Sequence, residues 1–325
     1  MPANLTPQYH AAEENFKKAT TTEEKIAALE EMLAVIPKHK GTEKLQADIK
    51  KRLSKLKDEA TRKGAAKRFD PFHIEKQGAG QVVLFGFPNT GKSSLLNVLT
   101  RASAKVADYP FTTTLPVSGM MPFEDILIQL VDLPPITADM SPPGISGALI
   151  NSDIIMVVFD ASSDDCLDQV NESISFLYKK RVLREEKITG VRSVPPDRVL
   201  LVGNRIDRPG SRENMDIIRE FKPGGFKLYT ASAATGENLE ELKTVLFKTL
   251  DIIRVYSKVP GKEPDLKMPF VLKRGSTVLD MAEKIHKDLA QKLKFARVWG
   301  SAKFEGQSVP KDYSLRDRDI VEINI

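Results

Sequence analysis

The chain has a single cysteine, Cys166, so no intramolecular disulfide can form and a disulfide-stapled secreted scaffold is excluded. Its four histidines, His10, His39, His73 and His286, are scattered, and no Cys/His spacing suits zinc. No apolar run approaches the roughly 18 residues of a membrane-spanning helix, so no membrane partner is expected. The opening MPANLTPQYHAAEENF lacks the apolar core of a signal peptide, which makes the cytoplasm the expected location. There is no internal repeat, no low-complexity tract, and no Ser–His–Asp or paired-carboxylate arrangement that needs a hydrolase of those kinds. Cys166, at the start of a helical stretch, reads as a packing residue.

What is present fits a globular chain of two or three folded units: 325 residues, 41% hydrophobic and 29% charged. The net charge is +5, but residues 38–68 hold twelve Lys/Arg against four Asp/Glu, an excess of +8 that leaves the remainder at −3. A solvated helix face and a polyanion contact both fit such a run.

The first 60 or so residues read as helices. Thr6-Pro7 offers an N-cap followed by proline at the first helical position. Thr21 with Glu24 is a capping-box pattern leading into Ile26, Leu29, Leu33 and Ile36 at helical spacing, ended by Pro37 and Gly41. A third stripe is Leu45, Ile49, Leu53 and Leu56. From Gln81 the pattern changes to short apolar strands, 81–85, 126–132, 153–160, 198–203 and 227–232, separated by stretches that include helices over 166–180 and 237–253. Continuous apolar strands between helices indicate a mostly parallel sheet covered on both faces, hence an α/β domain. The last 70 or so residues hold strand-like 254–257 and 270–275, a capped helix over 277–289, then strands 296–300 and 319–325. That order suggests a small mixed sheet packed on one helix.

Gly86-Phe87-Pro88-Asn89-Thr90-Gly91-Lys92-Ser93 fits G-x-x-x-x-G-K-[ST] between a strand and the helix Lys92–Thr100, the context that phosphate loop requires. Backbone N–H groups and the helix N-terminus favour phosphate oxygens, so Asn89, Thr90, Gly91, Lys92, Ser93 and Ser94 form the expected phosphate-binding set. Lys92 can reach the β- and γ-phosphates, and the Ser93 hydroxyl can ligate Mg²⁺. Asp132, ending an apolar strand, is placed to hold the same ion through a water. The loop 108–114, DYPFTTT, is where a switch segment should bring a hydroxyl to the metal; Thr113 is favoured there and, with Lys92, is the candidate catalytic group. Asn204-Arg205-Ile206-Asp207 follows a strand, and the acceptor-only carboxylate of Asp207 matches the two donors on guanine's edge. Adenine would leave that acceptor unpaired. Ser232-Ala233, after the next strand, completes the base site.

The segments GFPNTGKSSL, DYPFTTTLP and VDLP resemble the Obg and DRG branch of translation-factor-type GTPases, and 253–289 together with FARVWG resembles the C-terminal TGS domain of DRG proteins. The resemblance implies a helical, basic region over 1–74, a P-loop GTPase domain over 75–252 and a β-grasp, TGS-like domain over 253–325. It also implies binding of GTP and GDP with Mg²⁺, slow hydrolysis, and the ribosome or its RNA as partner, with no DNA expected. A GTP/GDP-binding adaptor that hydrolyses little shares the same binding residues. In related GTPases an asparagine at the point of Asn89 accompanies a potassium ion, so K⁺ is a candidate too; the alternative is that Asn89 suits the turn's backbone.

Four departures stand out. The family's D-x-x-G glycine is Pro135, which has no N–H to offer a γ-phosphate. The segment from Ile136 on is too short and too rich in proline and glycine for a full second switch helix. Ile136 itself stands where many small GTPases carry a catalytic glutamine. A hydrophobic residue there is what the subfamily with a substituted glutamine carries, so it does not argue against hydrolysis. The usual lysine is Arg205, which can still stack on the base. Only about 70 residues separate Asp132 from Asn204, too few for the domain that eukaryotic DRG proteins insert. The RNA expectation rests on the +8 run and on Lys284, Lys287, Lys292, Lys294 and Arg297. Trp299 reads as core or as a base-stacking platform.

Overall fold

The computed structural model describes residues 6–19, 22–37, 42–65, 72–100, 115–136, 142, 144–184, 190 and 192–325, with the side chains of 18, 22, 23 and 57–65 outside the description. The chain divides into two compact units, Met1–Asp70 and Pro71–Ile325.

The first unit consists of α1 (Pro7–Lys18), α2 (Thr22–Val35) and α3 (Glu43–Ala65). The Thr6 hydroxyl accepts from the Tyr9 N–H at 3.3 Å, with Pro7 at the first helical position, as the sequence indicates. Leu29, Ile36 and Ile49 bury with Tyr9, Ala12 and Met32, while Leu33, Leu45, Leu53 and Leu56 pack at the margin. Thr21 of the expected capping box lies outside the described residues, as do the side chains of the basic run from residue 57 onward. Lys44, Lys50, Lys51, Arg52 and Lys55 are exposed on α3.

In the second unit, β1 (Gln81–Phe85), β2 (Val117–Phe123), β3 (Ile126–Asp132), β4 (Ile154–Asp160), β5 (Val199–Asn204) and β6 (Lys227–Thr230) form a sheet ordered β2-β3-β1-β4-β5-β6. Only β2, paired with β3, runs antiparallel. The helices are α4 (Lys92–Thr100), α5 (Ile145–Asn151), α6 (Cys166–Lys179), α7 (Ser211–Phe221) and α8 (Leu239–Leu250). Strand periodicity splits the core in two. Val83, Phe85, Ile155 and Val157 pack with α5 and α6 on one face; Val82, Leu84, Ile154 and Met156 pack with α4 and α8 on the other. Because both faces are covered, β1 and β4 are buried along their whole length. Cys166 is 3% exposed in this core, and burial pushes its thiol pKa up, so it is a packing residue. The carboxyl ends of the five parallel strands, β1 and β3 to β6, open on one edge, where such sheets bind ligands.

A second sheet is ordered β10-β9-β11-β7-β8, built from β7 (Ile252–Lys258), β8 (Asp265–Lys273), β9 (Phe295–Trp299), β10 (Gln307–Val309) and β11 (Asp319–Asn324). The pair β11–β7 is parallel and the other pairs are antiparallel. Helix α9 (Val278–Ile285) buries Val278, Met281 and Ala282 against Ile253, Val255, Val298 and Val321, the expected mixed sheet on one helix. The expected single helix over 277–289 is broken: His286 is extended at φ −166° and caps a short α10 (Lys287–Lys292). The helix expected over 237–253 stops at Leu250, because Asp251 turns left-handed at φ 55° and β7 follows.

The two sheets meet at the turn joining β2 to β3. Arg254 of β7 is 3% exposed and donates to Glu124, to Asp125 Oδ1 at 2.7 Å, and to both oxygens of Asp317 at 3.1 and 2.7 Å. Tyr256 donates its hydroxyl to Asp125, and Arg318 donates to Glu124 at 2.7 Å. The Arg254 guanidinium lies 4.9 Å from the ring centroid of Phe247, which stacks on Phe123 at 4.9 Å. Trp299 is half-buried, with the Lys258 ammonium 4.7 Å from its ring centroid and Gly306 so close that a Cβ there would lie 3.0 Å from the ring. That packing favours the structural reading of Trp299 over base stacking.

Candidate functional site

The phosphate loop leaves β1 through Gly86 at φ +144°, where an added Cβ would sit 2.3 Å from the Val158 carbonyl oxygen. It enters α4 through Gly91 at φ +86°, where a Cβ would lie 2.2 Å from Asn204 Nδ2. Both positions therefore need glycine for conformation and for space. Asn89 is left-handed at φ 60°, a conformation asparagine tolerates better than most residues, which accounts for it as a turn residue. Thr90 is fully buried, its hydroxyl donating to the Phe87 carbonyl at 3.2 Å, and Ser94 is exposed on the first turn of α4.

Lys92 is 6% exposed, and its ammonium donates to the carbonyls of Gly86 at 3.2 Å and Phe87 at 2.7 Å. Burial holds its pKa below the usual lysine value, and the charge of Asp132 opposes that in part. The Ser93 hydroxyl donates to Asp132 Oδ2 at 2.5 Å. Asp132 Oδ1 is buried and has no hydrogen-bond partner among the described residues. Burial raises the Asp132 carboxyl pKa, against the Ser93 hydrogen bond and the Lys92 charge. An orphan carboxylate oxygen beside a hydroxyl, next to a nest of backbone N–H groups, suits a hard divalent cation that shares its shell with phosphate and water. Among the described residues no cluster of three or more His, Cys, Asp or Glu could hold a metal by itself. Thr113 and the whole loop 108–114 lie outside the described residues.

Beyond Asp132, Pro135 is exposed and Ile136 is 2% exposed, packed in the sheet's core with Leu133 and Ile145. The Ile136 N–H donates to the Gly86 carbonyl at 3.3 Å, the same oxygen that accepts from Lys92. The backbone after the strand is thus tied to the phosphate loop, and the side chain at the glutamine position faces protein.

Asn204, 1% exposed at the end of β5, joins three segments. Its Nδ2 donates to the Thr90 carbonyl at 3.0 Å, and its Oδ1 accepts from the Ala233 N–H at 3.2 Å. The Ser232 hydroxyl accepts from the N–H groups of Ala234 and Thr235 at 3.2 and 3.1 Å, folding its loop toward Asn204. Asp207 is exposed and accepts no hydrogen bond from the described residues, so its oxygens remain available to a ligand. Arg205 pairs with Asp160 at the end of β4. Among the described residues, the structure thus brings those expected to hold phosphate, metal and base to one edge. Sequence reasoning missed Asp160; the signal was a second apolar strand that, like 126–132, ends in aspartate.

The family profile described as 50S ribosome-binding GTPase matches residues 81–189, and that of the TGS domain matches 253–324. The chain is 30% identical to an uncharacterized GTP-binding protein of Methanocaldococcus jannaschii over 364 aligned positions, covering 93% of each. It is 28% identical to developmentally-regulated G-protein 1 of Arabidopsis thaliana, covering 92% of this chain and 90% of that protein. Against developmentally-regulated GTP-binding protein 2 of Homo sapiens it is 26% identical, covering 92% and 98%. Among solved structures, the YchF GTPase of Schizosaccharomyces pombe superposes with a TM-score of 0.49 at 14% identity, over 77% of this chain and 99% of that one. Each alignment to a relative is longer than the 325 residues of this chain, so those proteins carry segments with no counterpart in it. Likeness on this scale, end to end and through both domains, means that the chain belongs to the DRG-type GTP-binding proteins, P-loop GTPases with a C-terminal TGS domain.

Proposed function

We propose that the protein binds Mg²⁺ with GTP or GDP at this edge, hydrolyses GTP slowly, and associates with the ribosome or its RNA according to the nucleotide bound. The observation that carries the reading is the unpartnered, buried Asp132 Oδ1 beside Ser93 and Lys92. In this scheme the N–H groups from Asn89 to Ser94 cradle phosphate oxygens. Lys92, now spending its donors on two loop carbonyls, turns them to the β- and γ-phosphates. Ser93, Asp132 and Thr113 would hold Mg²⁺, whose charge offsets that of the phosphates. Asn204, Ser232 and Ala233 shape the base pocket, Arg205 covers the ring, and Asp207 accepts from guanine. Potassium is not needed to explain Asn89, whose backbone already accounts for it.

On this reading residues 75–252 carry the nucleotide, while 1–74 and 253–325 carry the partner contacts. Lys287, Lys292, Lys294 and Arg297 are exposed, which supports a phosphate-backbone contact; Lys284 donates to the Val271 carbonyl. The test is co-sedimentation with ribosomes in GDP or in a non-hydrolysable GTP analogue. Nucleotide-dependent association that weakens steeply with salt is expected, and association indifferent to nucleotide would remove the switch. A second reading, an adaptor that hydrolyses little, has its own support: Pro135 offers no N–H, and the Ile136 N–H is already bonded to Gly86.

A further inference from the structure

The base site carries Arg205 where the resemblance implies a lysine, and the structure pairs that arginine with the carboxylate of Asp160. Arg205 follows β5 and Asp160 ends β4; the two strands are paired in parallel with Asp160 opposite Asn204. Asp160 is 9% exposed and fixed from every side. Its Oδ2 accepts from Arg205 Nη1, and its Oδ1 accepts from the Ser162 N–H at 3.0 Å and the Ser162 hydroxyl at 2.7 Å. Its own N–H donates to Gln169 Oε1 at 3.0 Å. Arg205 holds a left-handed backbone at φ 65°, unusual for a side chain of this size, and its side chain is 28% exposed. Asp207, two residues on, is exposed and unpaired among the described residues.

A lysine covers a base with its flexible methylene stem and needs no fixed orientation. An arginine does so with a planar guanidinium, which stacks only when the plane is set. We propose that Asp160 is a positioning residue of the base site: it sets the plane of the Arg205 guanidinium and balances its charge, so that Arg205 covers the purine face while Asp207 reads its edge. The inference rests on the guanine-nucleotide reading above. It makes Asp160 necessary only because residue 205 is arginine.

Stacking does not distinguish purines, so losing Asp160 weakens all of them alike, whereas losing Asp207 changes their ranking. The experiment measures equilibrium binding and dissociation of N-methylanthraniloyl-GDP on the full chain with Mg²⁺, with GDP and IDP as competitors. Asp160→Asn, which keeps the shape and the Ser162 contact, and Asp160→Ala are each expected to weaken GDP about tenfold, mostly through faster dissociation, with the GDP/IDP ratio unchanged. Arg205→Lys loses the planar stacking group and is itself expected to weaken GDP, and Arg205→Lys combined with Asp160→Asn is expected to match Arg205→Lys alone. Wild-type affinity in Asp160→Asn, or an equal loss from Asp160→Asn in the lysine background, overturns the inference. Failure of the wild type to bind GDP would instead overturn the reading on which it rests.

Discussion

Replacing Arg254, which is 3% exposed, with methionine keeps an unbranched apolar stem but removes the guanidinium, leaving Asp125 and Asp317 without a cation and Glu124 with Arg318 alone. Removing one partner of a buried ion pair costs about 3–5 kcal/mol. Glu124 is 45% exposed, so water screens its share and the lower end of that range applies. For a unit of this size, about 3 kcal/mol corresponds to a fall in Tm of roughly 6–12 °C. The pH dependence identifies the cause. Hydrogen bonds from Arg254 and Arg318 hold the Glu124 carboxyl below its usual pKa. Burial pushes Asp125 and Asp317 up, but hydrogen bonds from Tyr256 and Arg254 to the former, and from Arg254 to the latter, bring both out below the usual value. Carboxyls depressed in the folded state stabilise it above their unfolded pKa, near 4, and that stability is lost as pH falls through the folded values. Calorimetry of the wild type and Arg254→Met between pH 3 and 7 should therefore show a gap that is widest at neutral pH and closes with acid. A gap under about 2 °C, or one constant with pH, would refute the claim that this cluster fastens the two sheets together.

Other outcomes follow from the nucleotide site. Asp132→Asn should raise the Tm of the nucleotide-free protein, because a carboxyl whose pKa is raised by burial disfavours the ionised fold at neutral pH, while weakening Mg²⁺-dependent GDP binding; calorimetry with and without Mg²⁺–GDP reads both. Asp207→Asn should exchange preference from guanine toward xanthine nucleotides, since an amide can donate to the oxygen that replaces guanine's amino group; competition binding checks the ranking. Pro135→Gly restores an N–H at the γ-phosphate side and should raise single-turnover hydrolysis about tenfold or more, with GDP affinity unchanged; an unchanged rate would free Pro135 of blame.

The parts legible in the sequence were those encoded locally. The strand, glycine loop and helix of residues 81–100 announce themselves because the backbone demands glycine at Gly86 and Gly91. Asp132 and Asn204 were legible because each ends a strand buried on both faces. Strand β2 was not, since VSGMMPF contains Gly119 and Pro122 and lies at the sheet's edge, half-buried and without alternation. Helix α7 has only Met215 and Ile218 in the core and reads as a charged loop, and β10 is three residues long. The Arg254–Asp125 and Arg205–Asp160 pairs join residues 129 and 45 positions apart in sequence, so no local pattern reveals them. Arg205 itself could be flagged as a departure, but its partner needed the register of β4 against β5.

Whether the Lys92–Ser93–Asp132 edge turns over guanine nucleotide is the central question for this protein. Single-turnover hydrolysis of GTP, with protein in excess, Mg²⁺ present and Lys92→Ala alongside, measures this directly. Conversion of GTP faster than in buffer, lost with Lys92→Ala and absent for ATP, is the predicted result. A wild-type rate equal to that of buffer would contradict the enzyme reading and leave a protein that binds the nucleotide without consuming it.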